Sequence, residues 1–340
     1  MGKFPSSVLK KYVFTRTGTR RDDVLVWPGE GIDVAVTSLD QDFVMVSHCD
    51  PIVGALHKIG WLAVHIACND VATSGIEPRW ILPTILLPEE WSEGMLNEIT
   101  RDIDLAAKEL DVAVIGGHTG YGAGLLRPIV VITAIGVGKR DNFIISSNAK
   151  ENDTVFITKG AGIEGTAILA TDFKDVLLEK GVESETIEKA KRLMNEISVV
   201  REALALAKKG VVHAMHDATR GGVAEALIEL AVASRKTIEV WVDRIPVCKE
   251  TEIFAKALRF DPLWMISSGT LVFTVPNNQK EVVKDILSNL RIIFAEIGNV
   301  KKGESKVIIH KKNKDEEITS TMPERDELAR MWEMYPRVKK

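Results

Sequence analysis

Cysteine is scarce in this chain of 340 residues: Cys49, Cys68 and Cys248 are all it has, and no two of them form a C-x-x-C pair. An odd, unpaired set argues against a disulfide framework or a cysteine-based zinc site and favours a reducing cytoplasm. Glutamine is scarcer still, at Gln41 and Gln279, while Lys, Glu and Arg abound, a composition that leans towards a thermophilic source. No uninterrupted apolar run approaches the length of a membrane span. The opening Met1-Gly2-Lys3-Phe4-Pro5-Ser6-Ser7 is too polar and broken for a signal-peptide core. There is no low-complexity tract and no G-x-x-x-x-G-K-[ST] phosphate loop. Charge of one sign is also lacking: a net charge of -4 and a pI near 6.0 give no general attraction to nucleic acid or an anionic membrane. The exception is local. Lys3, Lys10, Lys11, Arg16, Arg20 and Arg21 all precede the first acid, Asp22. Residues 1–30 therefore read as a mobile basic segment, either a loose tail or a flap over an anionic ligand.

What the chain does have is material for a core. Hydrophobic residues make up 45% and mean hydropathy is +0.04, enough for two ordinary domains. Strands and helices alternate along it. Gly31 to Val36 places Asp33 at the head of an alternating strand, and Phe43 to Ser47 is a second strand ending in His48-Cys49-Asp50-Pro51. Gly54 to Ala67 reads as a helix rich in small residues, with Asn69 and Asp70 in the last turns before Gly75. Trp80 to Leu87 is apolar strand, Glu90 to Leu110 is helix, and Val112 to Ile115 is a buried strand running into Gly116-Gly117-His118-Thr119. A polar stretch near Asn148 to Asp153 marks the domain boundary. Beyond it, Thr154 to Thr158 is a strand, Ser184 to Lys208 is helical, and His213 and His216 fall in a turn beside Asp217. Val223 to Ala233 and Glu324 to Met334 are further helices. The divisions are a basic segment 1–30, domains 31–147 and 148–315, and a helix and tail 316–340.

Gly160-x-Gly162-x-x-Gly165 matches the dinucleotide fingerprint in letters only. No second strand ends in an acid about 20 residues on, and Glu164 would oppose a pyrophosphate. The seven histidines lack the spacing of a zinc site and read as structural. Cys49 and Cys68 read as small buried residues. The acids carry more. Asp70 stands beside Asn69 at a helix end whose carbonyls already bear partial negative charge, so a cation is wanted there. Asp33, Asp50 and Asp70 each fall where a strand or helix meets a turn, and as hard ligands they suit magnesium bridging phosphates. Gly116, Gly117 and Thr119 form a turn whose backbone N–H groups can approach a phosphate.

The order Gly-x-Asp-x-Ala-Val, Asp-Pro, Asn-Asp-x-Ala-x-x-Gly-x-x-Pro, Gly-Gly-His-Thr and His-Asp-x-Thr-Arg-Gly-Gly resembles the PurM-like superfamily from Gly31 to Val275. That group holds aminoimidazole ribonucleotide (AIR) synthase, thiamine-monophosphate kinase, selenophosphate synthetase and the hydrogenase maturation factor HypE. Asp217-Ala218-Thr219-Arg220-Gly221-Gly222 and Asp261-Pro262-Leu263 make HypE the nearest in pattern. The resemblance implies a two-domain α/β fold, with an N-terminal domain that dimerises through its sheet and a C-terminal α/β domain. ATP and Mg²⁺ would lie in a cleft involving the dimer interface. By motif, Asp33, Asp50 and Asp70 would hold Mg²⁺, Asn69 and Thr119 would meet the phosphates, and Asp217, Thr219, Gly221 and Gly222 would face the nucleotide or a second substrate. Two departures stand out. The tail Pro336-Arg337-Val338-Lys339-Lys340 lacks the Pro-Arg-x-Cys ending of HypE, and His118 stands where HypE and the thiamine kinase carry Asp. His118 is expected either to ligate the metal, which would admit Mn²⁺, or to hydrogen-bond a phosphate. The activity expected is γ-phosphoryl transfer from ATP to a small acceptor in a cytoplasmic homodimer. The alternative is a non-catalytic ATP-binding partner in a maturation complex.

Overall fold

The computed structural model describes residues 4–312, 314–319, 322 and 325–339. Met1 to Lys3 of the basic segment, Glu324 of the last expected helix and the terminal Lys340 lie outside these described residues.

Two mixed sheets, each with helices packed on it, organise the chain. The first is built from β1 (Val24–Val26), β2 (Ala35–Ser38), β3 (Phe43–Ile52), β4 (Pro78–Leu87), β5 (Ala113–Val114), β6 (His118–Tyr121) and β7 (Ile129–Lys139). Its order is β1-β2-β3-β7-β4-β5, with β6 also pairing to β4. The second contains β8 (Thr154–Thr158), β9 (Ala214–Asp217), β10 (Thr237–Trp241), β11 (Leu271–Val275), β12 (Phe294–Lys301), β13 (Lys306–His310) and β14 (Asp315–Ile318), in the order β14-β13-β10-β12-β8-β11-β9. The helices are α1 (Ser6–Tyr12), α2 (Ile59–Thr73), α3 (Glu93–Glu109), α4 (Ile163–Asp172), α5 (Lys174–Glu179), α6 (Ser184–Lys191), α7 (Val200–Lys209), α8 (Gly222–Ser234), α9 (Lys249–Leu258), α10 (Lys280–Asn289) and α11 (Glu327–Met334).

Helix α2 is the hub. Its sequence is small or apolar on every side, and all of its residues from Ile59 to Thr73 are buried, the pattern of a helix enclosed by protein all round. It packs on β3 and β7, on α3, and on α7 and β9 of the second half. Gly60 admits α3, since a Cβ there would lie 2.4 Å from the Ile99 carbonyl oxygen. The helix starts five residues later than its small-residue pattern suggests. Residues 54–57 are drawn off by distant partners: Trp332 Nε1 donates to the Gly54 carbonyl, the Leu56 N–H donates to Asp172, and His57 bonds the same carboxylate. Lys58, at φ 52°, then turns the chain into α2.

Three further elements differ from expectation. Strand β3 does not end at Ser47 but runs through Asp50-Pro51, pairing there with β7 alone because β2 stops opposite Ser47. Its far half is thus an edge, the place in a sheet where proline is tolerated. The strand at Ala113–Val114 is short and exposed rather than buried, with Val114 at 50% and neighbouring Ile115 at 55% exposure. His216 lies not in a turn but within the fully buried strand β9.

Candidate functional site

Four carboxylates from four separate elements meet beside the C-terminal end of α2. Asp70 comes from α2, Asp50 from the edge half of β3, Asp33 from the approach to β2, and Asp217 from the end of β9. Burial pushes the Asp70 carboxyl well above the usual carboxylate range, and the charges of Asp217, Asp33 and Asp50 push it the same way. Asp217 itself is driven up to about 7, by burial first and then by Asp33, against the opposing charge of His216. Both Asp217 oxygens are buried without a hydrogen-bond partner among the described residues.

Two histidines complete the cluster. His48 reaches the Asp33 carbonyl with Nδ1, and its Nε2 lies 3.2 Å from Asp70. His216 lies between two acids, with Nδ1 2.5 Å from Asp33 and Nε2 3.0 Å from Glu229 of α8. Burial alone would lower the His216 pKa, but Asp33 and Glu229 outweigh it and hold the imidazole well above its ordinary 6.5. Ligand atoms of Asp33, His216 and Asp217 lie within 4.8 Å of one another. Neither histidine is marked as a site residue in sequence; the only signal was the dipeptide His216-Asp217 ahead of a Gly-Gly turn.

A cavity of about 260 Å³ opens on this cluster, lined by Asp33, His48, Asp50, Asp70, Thr219 and Glu229. The described part of the basic N-terminal segment covers it, with apolar residues and not with its described cations. Phe4, Ser6, Leu9 and Phe14 face the cavity. Lys10 pairs with Glu30 at 2.5 Å, Arg21 pairs with Asp23, and Arg16 and Arg20 lie over the rings of Tyr12 and Trp27. Helix α1 and strand β1 thus give form to a stretch expected to be loose.

Other expected residues have different surroundings. Asn69 is fully buried and clamps the chain ahead of α7: its Nδ2 donates to the Ile197 carbonyl and its Oδ1 accepts from the Val199 N–H. Gly221 and Gly222 do not form an open turn. The Gly221 N–H donates to Asp326, and a Cβ on Gly222, at φ 67°, would lie 2.5 Å from the carbonyl oxygens of Leu263 and Met265. Gly116, Gly117, His118 and Thr119 line a separate, open cavity against α3, together with Pro83 and Asp104 and none of the four acids. The turn Gly160–Gly165 is filled by protein: the Gly162 N–H donates to Ser267, and Gly165 packs on Met265. Cys68 is buried, and burial pushes its thiol up to about 12, whereas Cys49 is exposed on β3.

Comparison with known proteins agrees with this two-sheet arrangement. The N-terminal domain of AIR synthase related proteins matches residues 31–138, and their C-terminal domain matches residues 150–311. The chain belongs to the AIR synthase related family. A putative hydrogenase expression/formation protein of Methanocaldococcus jannaschii is 30% identical over 67% of the chain, and the match spans 65% of that relative's own length. The thiamine-monophosphate kinase of Bacillus subtilis is 28% identical over 74% of the chain and 76% of its own. The crystal structure of the hydrogenase maturation protein HypE in complex with ATP superposes with a TM-score of 0.68 over 93% of the chain and 95% of its own, at 21% identity. In this family member, as described, no helix is long and apolar enough to cross a membrane.

Proposed function

We propose that this protein is a magnesium-dependent, ATP-using enzyme that transfers the γ-phosphoryl group to a small acceptor, as a homodimer. The observation that carries the reading is the meeting of Asp70 and Asp217, both buried, with Asp33 and Asp50, and the two Asp217 oxygens left without a hydrogen-bond partner among the described residues. Carboxylate oxygens gathered this closely suit a hard divalent ion, which would displace the protons that their mutual repulsion retains. The family supports the nucleotide: one structural neighbour is in complex with ATP, and one relative is a kinase. Bound there, the metal would supply charge neutralisation along the phosphates.

The chain's own residues have distinct tasks in this reading. Asp50 and Asp70 would hold the metal, and Asp33 and Asp217 would add further carboxylate ligands. His48 and His216 fix the orientation of Asp70 and Asp33. The apolar side of α1 shields the cavity from water. Gly116, Gly117, His118 and Thr119, which line another cavity, reach a nucleotide in this reading only through a second copy of the chain. The exposed Val114, Ile115 and Tyr121 beside that loop support an interface there. The rival reading is a non-catalytic ATP-binding partner, and ATP turnover against a panel of acceptors separates the two.

Asp70→Ala is expected to abolish Mg²⁺-ATP binding with the fold intact. Calorimetric titration returning an unchanged affinity would reject the metal assignment.

A further inference from the structure

A second cavity, of about 280 Å³, lies beyond a wall that Asp50 and Thr219 share with the acid cavity. Its apolar side includes Leu328 and Trp332 of α11, and its polar side carries Glu164, Arg220 and Asp326. Glu164, in the first turn of α4, is 2% exposed, and its Oε2 has no hydrogen-bond partner among the described residues. Burial pushes its carboxyl up to about 7, hydrogen bonds from Ser268 oppose this, and the charges of Asp326 and Asp50 add to it. Asp326 is already engaged, accepting the Ala329 N–H with one oxygen and the Gly221 N–H with the other. Glu164 thus lines the cavity with a buried carboxylate that is not fully bonded. In a folded chain such an orphaned oxygen costs free energy unless a ligand satisfies it.

We propose that this cavity is a binding site for a small, partly apolar amine, held by its ammonium on the Glu164 carboxylate with its body against Leu328 and Trp332. Three carboxylates against one guanidinium make the walls net negative, so an anion is repelled. An ammonium both donates to Glu164 and offsets its charge. The volume sits near the lower end of ligand pockets, which fits a molecule of metabolite size. The site adjoins the acid cavity through Asp50 and Thr219 but stands independently of the phosphoryl-transfer reading.

Benzylamine, benzyl alcohol and benzoate share one ring and differ in the group presented to Glu164. Each is titrated into the full chain without nucleotide and followed by ligand-observed NMR, with AMPPCP and Mg²⁺ titrated separately by calorimetry. Benzylamine is expected to bind, benzyl alcohol at least tenfold more weakly, and benzoate not at all. Glu164→Gln is expected to weaken benzylamine at least tenfold, and Ala329→Trp, at the cavity wall, to block it. Circular dichroism checks that both variants fold, and if Ala329→Trp does not, Glu164→Gln decides alone. Benzoate binding as well as benzylamine, no benzylamine binding, or no effect of Glu164→Gln each overturns the amine site. Failure of AMPPCP to bind the unaltered chain instead counts against the phosphoryl-transfer reading and leaves the amine result to stand by itself.

Discussion

Replacing Asp217 with Asn should stabilise the metal-free protein at neutral pH while removing its response to magnesium. The Asp217 carboxyl has an ordinary pKa of 3.8 and is driven to about 7 in the fold. A carboxyl with a raised folded pKa holds a proton that the unfolded chain has already released. Stability is therefore fully present below pH 3.8, falls as pH rises through the interval, and levels off above about 7. Three pH units correspond to about 4 kcal/mol at pH 8, and to less than half of that at pH 5. His216 acts in the same direction, since its raised pKa means that its cation, paired with Asp33 and Glu229, is lost as pH rises. For a chain of 340 residues unfolding as one unit, about 4 kcal/mol corresponds to about 6 °C in melting temperature. The amide introduced by Asp217→Asn does not ionise and can donate an N–H to Asp70, so the variant escapes the penalty. Scanning calorimetry in EDTA at pH 5 and pH 8 reads the effect directly, and repetition with saturating Mg²⁺ reads the metal. The unaltered chain should melt lower at pH 8 than at pH 5 in EDTA, and Mg²⁺ should restore it. Asp217→Asn should melt higher than the unaltered chain at pH 8 and gain little from Mg²⁺. A variant that melts lower than the unaltered chain at pH 8 in EDTA, or gains as much from Mg²⁺, refutes the reasoning.

Asn69→Ala removes two buried hydrogen bonds and strands the Val199 N–H and the Ile197 carbonyl, at a cost of roughly 2–5 kcal/mol. A lower melting temperature, with nucleotide affinity retained in the folded fraction, is expected; a direct phosphate contact would give the reverse pattern. Deleting residues 1–21 uncovers the acid cavity by removing Phe4, Leu9 and Phe14. Mg²⁺-nucleotide binding should weaken with no change in its salt dependence, and titrations at low and high salt that show a reduced salt slope would instead assign the effect to Lys10, Arg16 and Arg20.

The parts of the site that could be read in sequence are those whose signal is local. Asp70 at the end of a small-residue helix, Asp50 before Pro51 and Asp33 ahead of a strand each carry their context within a few residues, and the fold gathers all three. The two-domain α/β reading was legible for the same reason, since periodicity alone separates β8 from α4 or β7 from the polar stretch that follows it. What failed to show was decided by contacts far along the chain. The late start of α2 depends on Asp172 and Trp332, more than a hundred residues away. Asn69 looked like a ligand because an amide beside a carboxylate is ambiguous, and only the arrival of Ile197 and Val199 makes it a clamp. His216 was hidden because a buried histidine reveals itself only when two acids, one from each side, are placed against it. Glu164 was legible only as an obstacle in a glycine turn. Its environment shows that the turn is closed by protein while Glu164 lines a neighbouring cavity. Packing accounts for the clamp, where both ends of the Asn69 amide are bonded. It does not account for Asp217 or Glu164, whose buried oxygens would be better replaced by amides if the fold were their only purpose, and that imbalance is why both are assigned to ligands.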